Sequence, residues 1–301
     1  MKLKDALHLA LKIKSKELRK SSDDTYLSFL RIFNIYLLHI NRTDMLLSEF
    51  GKREAMQYLD YILIHREVSA LTRNNYLKAM KSIFYVLVDR EYIEKNPFSG
   101  IRKLKAEKKK RVVYSPAECG IICNFLKEYD RGLLLAVSLC YYCAIRPNEI
   151  RDLKVGDIDL EKGLVMFNGT HSKNKDLALI TMPQHLIDYC KELRLNSYPK
   201  NFYVTGFKLK PCATRCGKNA IRRTHLKVLR LLKKHNMLTD IENKSFYSWK
   251  DTAARDMINE GYNVAVLMKH FRHESLETTQ KYLESFGVKN SSIRDMRTKI
   301  F

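Results

Sequence analysis

The chain has 301 residues, with 55 Lys and Arg against 33 Asp and Glu and a net charge of +22. That length suggests two domains. The excess is shared: 24 basic residues stand against 13 acidic ones up to Val113, and 31 against 20 beyond it. This points to a polyanionic partner of both halves, nucleic acid first, and away from a detachable basic tail.

Residues 1–20 form a basic amphipathic run without the apolar core of a secretory signal, and no stretch reaches the ~18–20 apolar residues of a membrane span. A soluble cytoplasmic protein is therefore expected, its seven cysteines reduced. From Thr25, apolar residues recur at Tyr26, Phe29, Leu30, Phe33, Tyr36, Leu37 and Ile40, which predicts a helix with Ser22 or Asp23 as its N-cap. A second helix is predicted over Lys52–His65. A third follows Ser69, with Leu71, Tyr76, Leu77, Met80, Phe84, Leu87 and Val88 inward and Arg73, Asn74, Asn75, Lys78 and Lys81 outward. Asn96-Pro97-Phe98 ends that half. Arg102–Arg111 holds seven cations and one acid without apolar periodicity, as an exposed linker would, and suits a phosphate backbone.

Ser115-Pro116-x-Glu118 opens the second half with an N-cap, a first-turn proline and a capping-box acid. Leu133–Ile145 reads as a buried helix broken at Arg146-Pro147-Asn148-Glu149, where another starts. Cys140 and Cys143 fall inside that apolar run, and Cys212 and Cys216 lack a partner pair at zinc-ligand spacing, so neither metal nor cofactor is expected. Gly163–Asn168 and Leu177–Met182 read as strands flanking a polar turn with a basic tip. Helices follow at about Gln184–Leu195, Cys216–His235, Lys250–Glu260, Val264–His270 and Leu276–Ser285.

Breaking a phosphodiester without a metal needs an in-line nucleophile, cations for the phosphate oxygens and an acid for the leaving oxygen. Residues 271–282 read Phe-Arg-His-Glu-Ser-Leu-Glu-Thr-Thr-Gln-Lys-Tyr. This segment resembles the box of the tyrosine recombinase (phage integrase) family, in which a histidine precedes the nucleophilic tyrosine by nine residues. Ala144-Ile145-Arg146-Pro147-Asn148-Glu149-Ile150, continued by Leu153-Lys154-Val155-Gly156-Asp157-Ile158-Asp159, is similar to the family's first arginine box. Thr72-Arg73-Asn74-Asn75-Tyr76-Leu77 and Asn96-Pro97-Phe98 resemble its helical core-binding domain. The resemblance runs from about Asp23 to Phe286.

It implies a mainly α fold with a small β-sheet: a helical core-binding (SAM-like) N-terminal domain and a recombinase catalytic domain, closing as a clamp on duplex DNA. The expected divisions are a basic segment 1–20, a core-binding domain 21–101, a linker 102–113, a catalytic domain 114–286 and a tail 287–301. Tyr282 would attack the scissile phosphate and form a 3′-phosphotyrosine. Arg146 would hold nonbridging oxygens through its planar fork, His273 would donate to the same phosphate, and Lys173 would protonate the leaving 5′ oxygen, with Lys175 as the alternative.

The family's second box, His-x-x-Arg, here reads Tyr247-Ser248-Trp249-Lys250. Tyr247 takes the histidine position and Lys250 the arginine position, as a hydrogen-bond donor and a point charge in place of a fork. Loss of one preorganised donor costs about 2.7–4 kcal/mol in other active sites, so a slower or inactive enzyme follows. Trp249 reads as a packing residue, His270 as a helix-face neighbour of His273, and Arg272 and Lys281 as solvent- or DNA-facing without catalytic duty. Arg73, Asn74, Lys78, Lys108, Lys109, Lys110 and Arg111 are the candidate DNA contacts.

The resemblance further implies a homo-oligomer, four protomers on two DNA sites, serving a mobile element. The tail, through Ile293, Met296, Ile300 and Phe301, would pack on a neighbour. The rival expectations are a recombinase-like DNA-binding protein that does not cut, and a type IB topoisomerase-like enzyme.

Overall fold

The computed structural model describes residues 1–17, 20–106, 112–169 and 175–273, together with Ser275 and Glu277. The chain divides into two units, Met1–Lys109 and Lys110–Phe301, parted inside the expected linker. The described part is mainly helical with one small sheet, and none of its helices is long and apolar enough to cross a membrane.

In the first unit, helices α1 (Leu3–Ser15), α2 (Lys20–His39), α3 (Lys52–Ile64) and α4 (Ala70–Val88) surround one core. Helix α1, within the N-terminal basic run, contributes to that core. Leu3, Ala6, Leu7, Ala10 and Leu11 recur at helical spacing on α1, are buried, and pack against α4 and α2. Because α2 begins at Lys20, Ser22 and Asp23 lie inside its first turn and not ahead of it. Ser69 does cap α4, its hydroxyl accepting the Thr72 N–H at 3.3 Å. Aromatic rings fill the centre: Phe33 meets Tyr58 edge-on with centroids 4.8 Å apart, and Phe50 stacks on Phe84 at 5.3 Å. Phe98 is driven fully into this cluster by the turn before it, where Asn96 takes the Phe98 N–H and donates to the Lys81 carbonyl.

Two expected DNA contacts have a different use here. Arg73 is buried, and its guanidinium donates to the Arg102 carbonyl at 3.0 Å. Asn74 pairs with the backbone of Leu104 in both directions, at 2.8 and 2.9 Å. Both side chains therefore moor the start of the linker to α4, because an unpaired backbone there would face the helix surface without partners. Lys78 is exposed on the same helix, and Lys108, Lys109, Lys110 and Arg111 lie outside the described residues.

The second unit is built on α6 (Arg131–Tyr142), buried along most of its length. Around it pack α5 (Pro116–Tyr129), α8 (Gln184–Glu192), α9 (Ala220–Lys234) and α10 (Ser248–Asn259), while α7 (Pro147–Asp152) continues from its C-terminal end. The capping box of Ser115 and Glu118 forms as expected at the start of α5. A three-stranded antiparallel sheet has the order β1 (Ile158–Asp159), β2 (Leu164–Gly169), β3 (Lys175–Thr181), with Val165 opposite Ile180 and Phe167 opposite Ala178. The two-residue β1 was not expected, being too short to show a period of two. Among the described residues α11 (Val264–Phe271) is the last named element; apart from Glu277, the helix expected at Leu276–Ser285 lies outside the described residues, as does the tail 287–301.

Where the chain enters this unit it is fastened to α10. The Tyr114 N–H donates to Thr252 Oγ1 at 2.9 Å, and Arg255 donates to the Tyr114 carbonyl at 2.8 Å. Trp249 packs in the core as expected, and its indole N–H donates to His225 Nε2 at 3.0 Å. Burial holds His225 neutral, down at about 3, which leaves that nitrogen free to accept.

Candidate active site

The site begins where α6 ends. Ala144 is buried with φ 51°, in the left-handed region that an alanine adopts at a cost of roughly 1–2 kcal/mol. That reversal throws Arg146 out to the N-cap of α7, with Pro147 preset for the first helical position. Glu149, one turn on, closes a local bracket: it accepts the Arg146 N–H at 2.8 Å and the Arg146 guanidinium at 3.1 Å. The carboxylate is buried, with side-chain exposure of 10%, while Arg146 is 42% exposed. The fork therefore stands at the surface and its anchor beneath it.

Lys250 belongs to the layer below. Its side chain is fully buried, and Nζ donates to the Ala144 carbonyl, in the turn just past the end of α6. Burial first, then the charges of Arg146 and Arg272, push its pKa down to about 7. The amine also lies 5.2 Å from the centre of the Phe271 ring. Ala144, Ala253, Ala254, Leu267 and Phe271 pack as one small apolar cluster, which is how the α6–α7 turn, α10 and α11 come together. Tyr141 strengthens the joint, its hydroxyl donating to Asp256 at 2.7 Å.

Arg272 ends α11 in the left-handed conformation, φ 53° and ψ 52°, and the following His273 N–H returns to the Met268 carbonyl at 3.0 Å. This is a helix stop that glycine ordinarily fills. The Arg272 side chain was expected at the solvent or DNA face; it is only 15% exposed and forms an ion pair with Glu149 at 2.5 Å. Its guanidinium lies 4.9 Å from the centre of the Phe167 ring on β2. Burial alone would push the Glu149 carboxyl up. The charge and hydrogen bond of Arg272, with the Arg146 N–H and charge, outweigh it and hold the group below the usual carboxylate range. Glu149 is thus an anion shared by two guanidiniums, one from each end of the domain's sequence.

Among the other site residues, His273 is half-buried with its ring 5.8 Å from that of Phe271. Tyr247 is exposed at the N-cap of α10. His270 is kept neutral chiefly by burial, and its Nε2 is buried with no hydrogen-bond partner among the described residues. Tyr282 and Lys173 lie outside the described residues; Lys175 opens β3. The structure therefore brings together Arg146, Lys250 and Arg272 around Glu149. Sequence reasoning missed Arg272. The available signal was an arginine at the stop of a short helix, where glycine is at ease.

A model of the phage integrase family matches residues 117–287, and a model of the phage integrase N-terminal SAM-like domain matches residues 7–94. The chain belongs to the phage integrase family. Among curated relatives of this integrase-family chain, the tyrosine recombinase of Pseudothermotoga lettingae is 21% identical over 92% of this chain and 94% of that protein. Tyrosine recombinase XerC of Syntrophus aciditrophicus is 24% identical over 85% and 84%. Of solved structures, the Tn1549 transposon integrase with a circular intermediate DNA superimposes with a TM-score of 0.77 at 14% identity, over 98% of each chain. A lambda integrase dimer bound to a core site does so with 0.73 at 15% identity, over 100% of each. At those identities the structural likeness concerns the fold.

Proposed function

We propose that this chain recombines DNA through a covalent phosphotyrosine formed by Tyr282. As a tyrosine-type member of the phage integrase family it is a site-specific recombinase that cleaves and rejoins DNA. In the proposed reaction the Tyr282 hydroxyl attacks phosphorus in line and gives up its proton. The bond to the 5′ oxygen breaks as the 3′ phosphate passes to tyrosine, and Lys173, or Lys175, supplies the proton that the leaving oxygen needs. One phosphate ester replaces another, so an incoming 5′ hydroxyl reverses each transfer without ATP. Arg146 holds nonbridging oxygens with its fork, His273 donates to the same phosphate, and Tyr247 offers a hydroxyl beside them. Lys250 works from below, supporting the turn that presents Arg146.

The observation that carries this reading is the Glu149–Arg272 ion pair, which joins the first arginine box to the histidine box across 123 residues of chain. Both units carry the cationic excess, which supports duplex DNA as the partner of each. The structural neighbours include the Tn1549 integrase on a circular intermediate DNA and a lambda integrase tetramer bound to a Holliday junction. These support service to a mobile element and a homo-oligomer, four protomers on two sites.

The test uses nicked suicide duplexes spanning candidate crossover sites from the DNA beside the gene. Wild type should form a denaturant-resistant protein–DNA adduct, and Tyr282→Phe none. The burial of Lys250 favours one other reading, a DNA-binding relative that does not cut. Specific binding of these duplexes without any adduct would decide for it.

A further inference from the structure

In-line attack concentrates negative charge on two nonbridging oxygens, and a single fork at Arg146 serves them unevenly. Lys250, at the family's second arginine position, is fully buried with its amine on the Ala144 carbonyl. A second guanidinium nevertheless lies beside the first. Arg272 pairs with one oxygen of Glu149 while Arg146 pairs with the other, so one buried carboxylate holds two forks next to each other. Three further features set Arg272 apart from an ordinary surface arginine. Its backbone is held left-handed, where a long side chain is strained and a glycine would not be. Its Nε is buried with no hydrogen-bond partner among the described residues, the kind of unsatisfied polar atom that functional sites hold. It also lies over Phe167 of β2, the strand that precedes Lys173 and Lys175 in the sequence, and it directly precedes His273.

We propose that Arg272 is a catalytic residue of this recombinase: with Arg146, it supplies the second fork on the nonbridging oxygens of the scissile phosphate, taking the part that Lys250 is placed too deep to play. Glu149 is then the positioning residue for both. Its carboxylate stays ionised between two cations and keeps their planes from swinging toward solvent. The strained helix stop is explained by this arrangement, since residue 272 reaches Glu149 from the turn leading into the histidine box. The inference rests on the recombinase reading above.

The experiment compares wild type, Arg146→Gln, Arg272→Gln, Arg272→Lys and Lys250→Met on one nicked duplex, following adduct formation in time and binding by gel shift. Arg272→Gln should cleave about 10²–10³-fold more slowly with little change in binding. Arg272→Lys, which keeps the charge and loses the fork, should recover only part of that loss. The same duplex is then made with a methylphosphonate at the scissile position, as both diastereomers. Replacing one charged oxygen by methyl removes the need for one cation, so at least one diastereomer should bring Arg272→Gln to within about tenfold of wild type, as it should Arg146→Gln. Lys250→Met should gain nothing beyond what wild type gains. Wild-type cleavage by Arg272→Gln would overturn the proposal, as would a slow Arg272→Gln that binds normally and is rescued by neither diastereomer. A variant that misfolds is recognised by loss of the gel shift, and Arg272→Lys then carries the comparison. If wild type itself forms no adduct on any duplex, it is the recombinase reading that fails, and this proposal falls with it.

Discussion

Lys250 joins the stability of the second unit to the chemistry at its surface. An ammonium taken out of water and set near Arg146 and Arg272 loses its proton more readily, and its pKa falls from 10.5 to about 7. The unfolded chain therefore binds more protons than the folded one between about pH 7 and 10.5, and stability rises with pH across that window. Below pH 7 both states are protonated and the full penalty of burying the charge applies. Replacing the residue with methionine, similar in length and uncharged, removes this dependence. Wild type should gain on Lys250→Met by about 1.4 kcal/mol for each pH unit inside the window, measured by urea unfolding from pH 6 to 10. Parallel stability curves would show that the lysine is better solvated than its burial indicates. The neutral amine still donates to the Ala144 carbonyl, so the turn that presents Arg146 keeps its support at either end of the range.

At the scale of elements, the ends of helices matter more than their lengths. The left-handed stop at Ala144 aims α7, and the stop at Arg272 sets His273; both lie where one apolar cluster ties α6, α10 and α11 together. In the first unit α4 has a comparable second duty. Its Arg73 and Asn74 hold residues 102–104, so the start of the linker is docked to a helix in place of hanging free. Asn74→Ala removes two hydrogen bonds at an exposed position and should cost about 1–2 kcal/mol. Trypsin should then cut faster after Arg102, Lys103 and Lys105, as read by limited proteolysis and mass spectrometry of the fragments. Equal cutting rates in mutant and wild type would mean that the tether contributes nothing in solution.

For the whole molecule, a net charge of +22 shared by both units makes counterion release the main sequence-independent contribution to DNA affinity. A protein making about 6–10 phosphate contacts loses roughly 10³–10⁵-fold in affinity between 50 and 200 mM salt. This chain should fall in that range by fluorescence anisotropy on a duplex of its site. Lys78→Ala, on an exposed lysine of α4, should lower the magnitude of the log–log slope by about one. A slope that is shallow from the start would argue that most of the cationic surface never meets phosphate.

What the sequence determined alone is what short-range rules control. The nine-residue step from His273 to Tyr282, the arginine box at Arg146, the capping box at Ser115 and the helical periods all depend on neighbours within a few turns, and together they place the chain in its family and class. Only the tertiary structure decided which of these cations are buried and which are paired beside Arg146. Lys250 and Arg272 look alike in the sequence as basic residues within boxes that resemble the family's. One is buried on the Ala144 carbonyl, and the other is held beside Arg146 by a carboxylate 123 residues away. Arg73 and Lys78 divide in the same manner on one helix, the first turned inward to a backbone carbonyl and the second left exposed. Helical spacing assigns a residue to a face, but burial and ion pairing depend on what other segments bring to that face, and that is set by long-range packing.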